Sequence, residues 1–149
     1  MIPVRRASST PQTHHDFDAL AAAARVAIRD HYAPHHALNA YLATLRVAAL
    51  ATDDAGCYIA ANELASRLTG YEVEELLTVS VPDITAREDE ADGARLWNAF
   101  VRSDHQHGTF TIARKDGTSV RVAYHAYANL VEGVHLSFLQ PAEADTSKG

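Results

Sequence analysis

The sequence predicts an α+β domain in which helices are inserted between the second and third strands of a five-stranded sheet. The stretch 47–62 reads as a short apolar run, an Asp-Asp-Ala-Gly turn, a second apolar run and then Asn62. A second turn, Lys-Asp-Gly at 115–117, joins two longer runs that are rich in β-branched and aromatic residues. Between the two hairpins, apolar residues recur at the three- and four-residue spacing of helices.

The first hairpin has clear local signals. Asp53 can bond the backbone two residues on, and Gly56 accepts a positive φ, so the strands are predicted at 47–52 and 57–61. Asn62 is a good N-cap for a helix at 63–69, and Gly70 is placed to end it.

The later elements follow from periodicity and punctuation. We expect a short helical turn at 72–77, a short helix or loop at 83–90, an amphipathic helix at 91–102 and a polar linker at 103–108. The last three strands are predicted at 109–114, 118–130 and 134–139, and the domain itself at 47–140, followed by a flexible tail at 141–149.

The N-terminal part divides into a polar, disordered leader at 1–15 and a helical segment at 16–46. Pro34 separates two helices, at 16–32 and 35–46. Both carry more apolar surface than a solvated leader needs, so we expect them to cap the sheet or to form a dimer interface. The residues predicted for this interface are Phe17, Leu20, Ile28, Leu38, Tyr41, Leu42 and Leu45.

Composition and charge exclude several classes of protein. The single cysteine, Cys57, rules out an intrachain disulfide framework. No secretory signal or run of about 20 apolar residues is present, so we expect a cytoplasmic protein without a membrane anchor. Residues 1–46 carry a charge of +2 and residues 47–149 a charge of −8, so direct binding of nucleic acid is not expected.

In order and spacing, several short motifs resemble the PAS family of sensor domains over residues 47–140. They are Ala-Thr-Asp-Asp-Ala-Gly at 51–56, Tyr-Ile-Ala-Ala-Asn at 58–62, Leu-Thr-Gly-Tyr at 68–71, Glu-Glu-Leu at 74–76, Asp-Ile-Thr at 83–85, Arg-Lys-Asp-Gly-Thr at 114–118 and Val-His-Leu-Ser-Phe at 134–138. The resemblance implies an antiparallel sheet in the order 2-1-5-4-3 with helices cupped over one face. It also implies a cleft that holds haem, flavin, a metabolite or only side chains, and an opposite face that packs an N-terminal helix and a second subunit.

Within that resemblance, the cofactor stays unknown, and two groups are disfavoured. Thiol–flavin chemistry is not expected, because Cys57 lies in the second strand and not in the inserted helices. Haem is not expected either, because the helix at 91–102 has no His to ligate the iron. The remaining candidates for a haem ligand are His105 and His107 in the linker.

The nine histidines do not predict a metal site. His31 and His35 have a chelating spacing that Pro34 interrupts, and the His-x-His sequence at 105–107 has no second cluster at ligand spacing. His125 and His135 lie on neighbouring strands whose register is open. A cleft-facing histidine could sense pH or an anion, although a half-exposed sheet position is the simpler interpretation.

A set of large apolar residues, which includes Val122 and Leu136, is most simply interpreted as the hydrophobic core. If the cleft is open, most of these residues would line it instead, and Tyr124 or Tyr127 would supply a hydroxyl group. The candidate lining residues are Leu68, Ile84, Leu96, Trp97, Phe100, Ile112, Tyr124 and Phe138. The acidic stretch 72–92 is a solvated face or a dock for a basic partner.

No catalytic motif is present, so the sequence favours a non-enzymatic sensor that binds a small ligand or a protein partner. The alternatives are a ligand-free homodimerisation module and, less favoured, a small cone-shaped α+β isomerase or dehydratase. We expect the N-terminal helices to support a homodimer. Ten residues follow Leu139, so we expect the output to pass through a separate protein, such as a histidine kinase or a transcriptional regulator.

Overall fold

The computed structural model describes residues 16–142, apart from the side chains of Glu88, Glu90 and Ala91. The predicted leader at 1–15 and residues 143–149 of the predicted tail lie outside the described residues. The described strands form one antiparallel sheet in the order β2-β1-β5-β4-β3, which confirms the predicted topology. They are β1 Ala48–Thr52, β2 Tyr58–Ala61, β3 His105–Ala113, β4 Ser119–Val131 and β5 Val134–Pro141.

The helices fall into two groups on opposite faces of this sheet. The cap consists of α1 Phe17–Ile28 and α2 Pro34–Leu42, which precede β1. The inserted group, between β2 and β3, consists of α3 Glu63–Thr69, α4 Val73–Leu76, α5 Val81–Ile84, the 3-10 turn Arg87–Asp89 and α6 Glu90–Phe100. The confirmed architecture is therefore α+β, with the sheet as the shared wall between two helical layers.

Because successive strand residues point to opposite faces, the sheet has two distinct cores. On the inner face, towards the inserted helices, Leu50, Ile112 and Val122 are almost fully buried. On the outer face, towards the cap, Leu136 and Phe138 are fully buried.

The cap helices pack on the outer face of the chain's own sheet. Four of the predicted interface residues are buried there and three are partly buried against the same cluster; they are Phe17, Ile28, Leu38 and Leu42, then Leu20, Tyr41 and Leu45. Both helices are shorter than predicted. The chain leaves α1 through Asp30, which has a φ of 64°, and Pro34 occupies the first turn of α2, where its missing N–H costs nothing.

Asn62 ties the cap, the sheet and the first inserted helix together. Its Oδ1 accepts hydrogen bonds from the Ala49 and Ala65 N–H groups at 3.1 and 3.0 Å. Its Nδ2 donates to the Leu42 and Val47 carbonyls at 3.0 and 2.9 Å. With a side chain that is 4% exposed, Asn62 thus satisfies the N-terminus of α3, the start of β1 and the end of α2 at once.

The predicted polar linker at 103–108 is wrong, because β3 already begins at His105. Residues 105–108 pair in register with residues 124–127 of β4. His, Gln and Gly are weak strand formers, so pairing with β4 decides their conformation, not their own propensity.

We expect Asn62→Ala to lower the free energy of unfolding by about 3 kcal/mol, because it removes an N-cap and leaves buried backbone groups unsatisfied. Chemical denaturation measures this loss. Asn62→Asp should also be strongly destabilising, since it keeps the two acceptor interactions but places a buried carboxylate oxygen against the Leu42 and Val47 carbonyls. Asn98→Ala, at an exposed position of α6, should be nearly neutral. Equal effects of Asn62→Ala and Asn98→Ala would show that the four hydrogen bonds of Asn62 contribute nothing to the free energy of unfolding.

Candidate functional site

A partly open cavity of about 270 Å³ lies between the inner face of the sheet and α6. All five strands contribute to its floor, and α5 and α6 form its roof. This volume is near the lower end of the range for small-molecule sites, so the cavity has room for a small metabolite.

The apolar part of the cavity comes mainly from one stripe of α6. Leu96, Trp97 and Phe100 recur at helical spacing and face the sheet side chains Phe110 and Leu139 across the cavity. The Trp97 and Phe100 ring centroids are 5.6 Å apart, a tilted aromatic pair.

Three hydroxyl groups lie on the floor, on the adjacent strands β2, β1 and β5. Tyr58 and Thr52 are cross-strand partners, each 7% exposed, and Ser137 pairs with Leu50 on the other side of β1. No side-chain hydrogen bond joins these hydroxyls to any residue between 16 and 142. The three hydroxyl oxygens are not fully buried, so the floor offers unused donors and acceptors to whatever enters the cavity. Burial, with a smaller contribution from the Asp83 carboxylate, raises the pKa of Tyr58, so its hydroxyl stays protonated.

Charged groups at the cavity are already paired. Arg121 lies 3.7 Å from Asp89 and donates to the hydroxyls of Thr109 and Thr111. Asp92, on α6, pairs with Arg95 at 3.2 Å. Arg121 and the two carboxylates thus each have an opposite charge within ion-pair distance.

Tyr124 shapes one side of the cavity. Its hydroxyl donates to the Gln106 Oε1 at 2.9 Å, and its ring lies against Gly108 on the neighbouring strand. A Cβ on Gly108 would meet the ring at 3.3 Å, so glycine allows this close approach. Burial raises the pKa of Tyr124, which keeps the hydroxyl a donor.

The structure divides the predicted lining residues into three groups. Leu96, Trp97, Phe100 and Tyr124 line the cavity. Leu68, Ile84 and Ile112 belong to the same inner core but do not line the cavity. Phe138 is on the opposite face, stacked on Phe17 at 5.1 Å, because its place in the alternation of β5 directs it towards the cap.

The sequence did not single out Tyr58, Thr52 and Ser137, which the structure brings together. The sequence feature that could have identified them is the period-two alternation of the strands, because Thr52 shares a face with Leu50 and Ser137 shares one with Leu139. Small hydroxyl residues in apolar strands are common, so only the three-dimensional pairing separates them from ordinary strand positions.

His135 sits beside the cavity, between α6 and two turns. Its ring is 2% exposed and lies 5.7 and 5.5 Å from the Trp97 and Phe100 rings. Its Nδ1 accepts from the Asn129 N–H at 3.0 Å, so the proton is on Nε2, which donates to Asp54 at 2.8 Å. His135 therefore joins the roof of the cavity to the β1–β2 turn and to the irregular end of β4.

His125 is on the outer face of the sheet, whereas His135 is on the inner face. The two histidines, whose relative register the sequence did not determine, therefore do not share a face. His125 stacks on Phe17 at 4.5 Å and has His105 and His107 as neighbours at 5.9 and 5.6 Å. Burial, and then the charges of His105 and His107, lower its pKa, while Asp18 acts in the opposite direction.

None of the helices between residues 16 and 142 has the length and hydropathy that a membrane-spanning helix requires.

The fold is similar to solved PAS domain structures at low sequence identity. One is a PAS domain of a protein from Colwellia psychrerythraea, with a TM-score of 0.62 and 18% identity over 69% of this chain and 92% of that one. A second is a domain of a sensory box sensor histidine kinase/response regulator from Geobacter sulfurreducens, with a TM-score of 0.61 and 19% identity over 70% and 91% of the two chains. A third is the Rhodobacter sphaeroides LOV protein, with a TM-score of 0.62 and 14% identity over 74% and 67%. No family model and no curated protein sequence matches the chain.

The lowered pKa of His125 predicts a pH-dependent stability. Below the ordinary histidine pKa of about 6.5, the unfolded chain binds a proton that the folded chain does not, so stability is lost as the pH falls through the lowered pKa. We expect urea denaturation in metal-free buffer to show a smaller free energy of unfolding at pH 5.5 than at pH 7.5. His125→Asn should reduce this difference, whereas His36→Asn, at an exposed position of α2, should keep it. An unchanged difference in His125→Asn would contradict the assignment.

Proposed function

We propose that this chain, which has the PAS fold, is a non-enzymatic sensor module whose cavity binds a small uncharged molecule. The observation that carries the proposal is the set of unpartnered hydroxyls of Thr52, Tyr58 and Ser137 on the floor of a cavity whose roof is apolar and aromatic. An apolar pocket with a few well-placed polar groups is the usual form of a small-molecule site.

The chemistry of the lining specifies the class of ligand. The aromatic roof favours a flat or apolar body, and the hydroxyls favour one or two groups that donate or accept hydrogen bonds. The pairing of Arg121 with Asp89 and of Asp92 with Arg95 argues against a ligand with a full charge. A volume of about 270 Å³ supports a small metabolite, not a large prosthetic group.

The route of the signal is proposed to run through His135. A ligand that moves Trp97 or Phe100 disturbs the ring packed against them, and that ring is bonded to the Asn129 backbone. Asn129 has a φ of 54°, and the next carbonyl, that of Leu130, accepts from the Arg25 Nε of α1 at 3.0 Å. The cavity on the inner face is thereby connected to the cap on the outer face, and binding shifts the population between two packings of the cap.

The cap is also where we propose that a second copy of the chain docks. Its outward surface exposes Val26 and Tyr32 at 64% and 95%. Leu38 and Leu42 are fully buried against the sheet, so a charge there would unfold the cap and would not report on a dimer. A histidine kinase or transcriptional regulator as the recipient of the signal stays a prediction from the sequence.

Filling the cavity tests the proposed function. We expect the purified chain to retain a small molecule in native mass spectrometry, or neutral metabolites from a screening library to raise its melting temperature. Ala126→Leu, at a lining position that is 5% exposed, should abolish either effect by occupying the cavity. Ala99→Leu, on the exposed side of α6, is the matched control and should bind as the wild type does. The proposal fails if nothing binds the wild type, or if binding persists in a folded Ala126→Leu variant.

A further inference from the structure

Three imidazole rings on the outer face form a compact group that the cavity does not use. His105 and His107 are separated by 5.6 Å, His107 and His125 by 5.6 Å, and His105 and His125 by 5.9 Å between ring centroids. His105 and His107 share a face of β3 because they are two residues apart, and His107 is paired directly with His125 on β4. The sheet register therefore fixes the triangle.

The nitrogens of these rings are free to bind something else. No hydrogen bond connects them to any residue within 16–142, whereas His31 and His135 both use ring nitrogens in hydrogen bonds. His105 and His107 are exposed and His125 is half-buried, so an ion can reach the group from solvent.

We propose that His105, His107 and His125 bind a divalent transition-metal ion such as Zn²⁺. Imidazole nitrogens suit Zn²⁺, Ni²⁺ and Cu²⁺, and three histidines with one further position make a tetrahedral site. With nitrogen–zinc bonds of about 2 Å, the ring centres in such a site lie about 5 Å apart, slightly closer than those of this triangle.

The rings must turn before they bind. In the structure two of the three pairs are stacked, and among the described residues no three His, Cys, Asp or Glu side chains are arranged as metal ligands. The His105 and His107 rings are exposed and can turn about their side-chain torsions towards His125, whose ring is stacked on Phe17, without movement of the strands. The ion's binding energy drives this change.

The Asp18 carboxylate lies on the same side of the sheet as the three histidines and is a candidate for the fourth coordination position of the ion. The Tyr127 ring stacks on His105 at 4.6 Å, and the Tyr127 hydroxyl donates to the Asp18 Oδ1 at 2.6 Å. Asp18 belongs to the first turn of α1, so an ion held by the histidines lies next to the cap. Metal binding therefore stabilises the docked cap.

The test is titration of the whole chain with ZnCl₂ at pH 7.5, followed by calorimetry and by the melting temperature. We expect one Zn²⁺ per chain at this site and a rise in melting temperature. His107→Asn and His125→Asn should each weaken binding at least about tenfold and remove the rise in melting temperature. Circular dichroism checks that both variants are folded, and His105→Asn gives a third variant at an exposed position.

A matched control addresses the other histidines. The sequence pairs His14 with His15 and His35 with His36, so a variant with Asn at all four positions should bind Zn²⁺ as the wild type does. The proposal is overturned if this variant loses the binding, if the three cluster variants keep it, or if the wild type binds no Zn²⁺.

Discussion

The fold depends most on one buried side chain, Asn62. The four hydrogen bonds of its side chain reach the end of α2, the start of β1 and the first turn of α3. An amide side chain that uses both its oxygen and its nitrogen in a buried site is a strict geometric constraint, since any shift of one element leaves a donor or acceptor unsatisfied. Asn62 therefore fixes where the cap ends and where the inserted helices begin, and both the cavity and the cap surface follow from that placement.

The sheet then acts as a thin wall between two unlike environments. On β5, His135 and Ser137 face the inserted helices, while Leu136 and Phe138 face the cap. Neighbouring residues of one strand thus contact the cavity side and the cap side, which is the basis for the proposed coupling between the two faces. The register of β4 with β5 shifts between Tyr127 and Val131, and in this segment Arg25 of α1 donates to the Leu130 carbonyl.

The sequence predicted the features that have strong local chemistry. The turn around Asp53 and Gly56 and the capping by Asn62 and Gly70 need only neighbouring residues, and their positions agree with the structure. Features that depend on pairing were harder: β3 was missed at His105 because the strand forms through its partner. Phe138 was assigned to the cleft because the alternation of β5 groups Val134, Leu136 and Phe138 on one side but does not reveal which side of the sheet faces the cleft. The hydroxyls of Thr52, Tyr58 and Ser137 become a group only when three strands are aligned.

The central claim is that the two faces are energetically coupled through His135. A double-mutant cycle tests it directly: the free energy of unfolding is measured for His135→Leu, Arg25→Ala, the double variant and the wild type. Since the two side chains bond to adjacent residues of β4, we expect a coupling energy of about 1 kcal/mol. The same cycle with Arg29→Ala, at an exposed position just after α1, should give about zero. A coupling energy for Arg25 that is as small as the one for Arg29 would contradict the account.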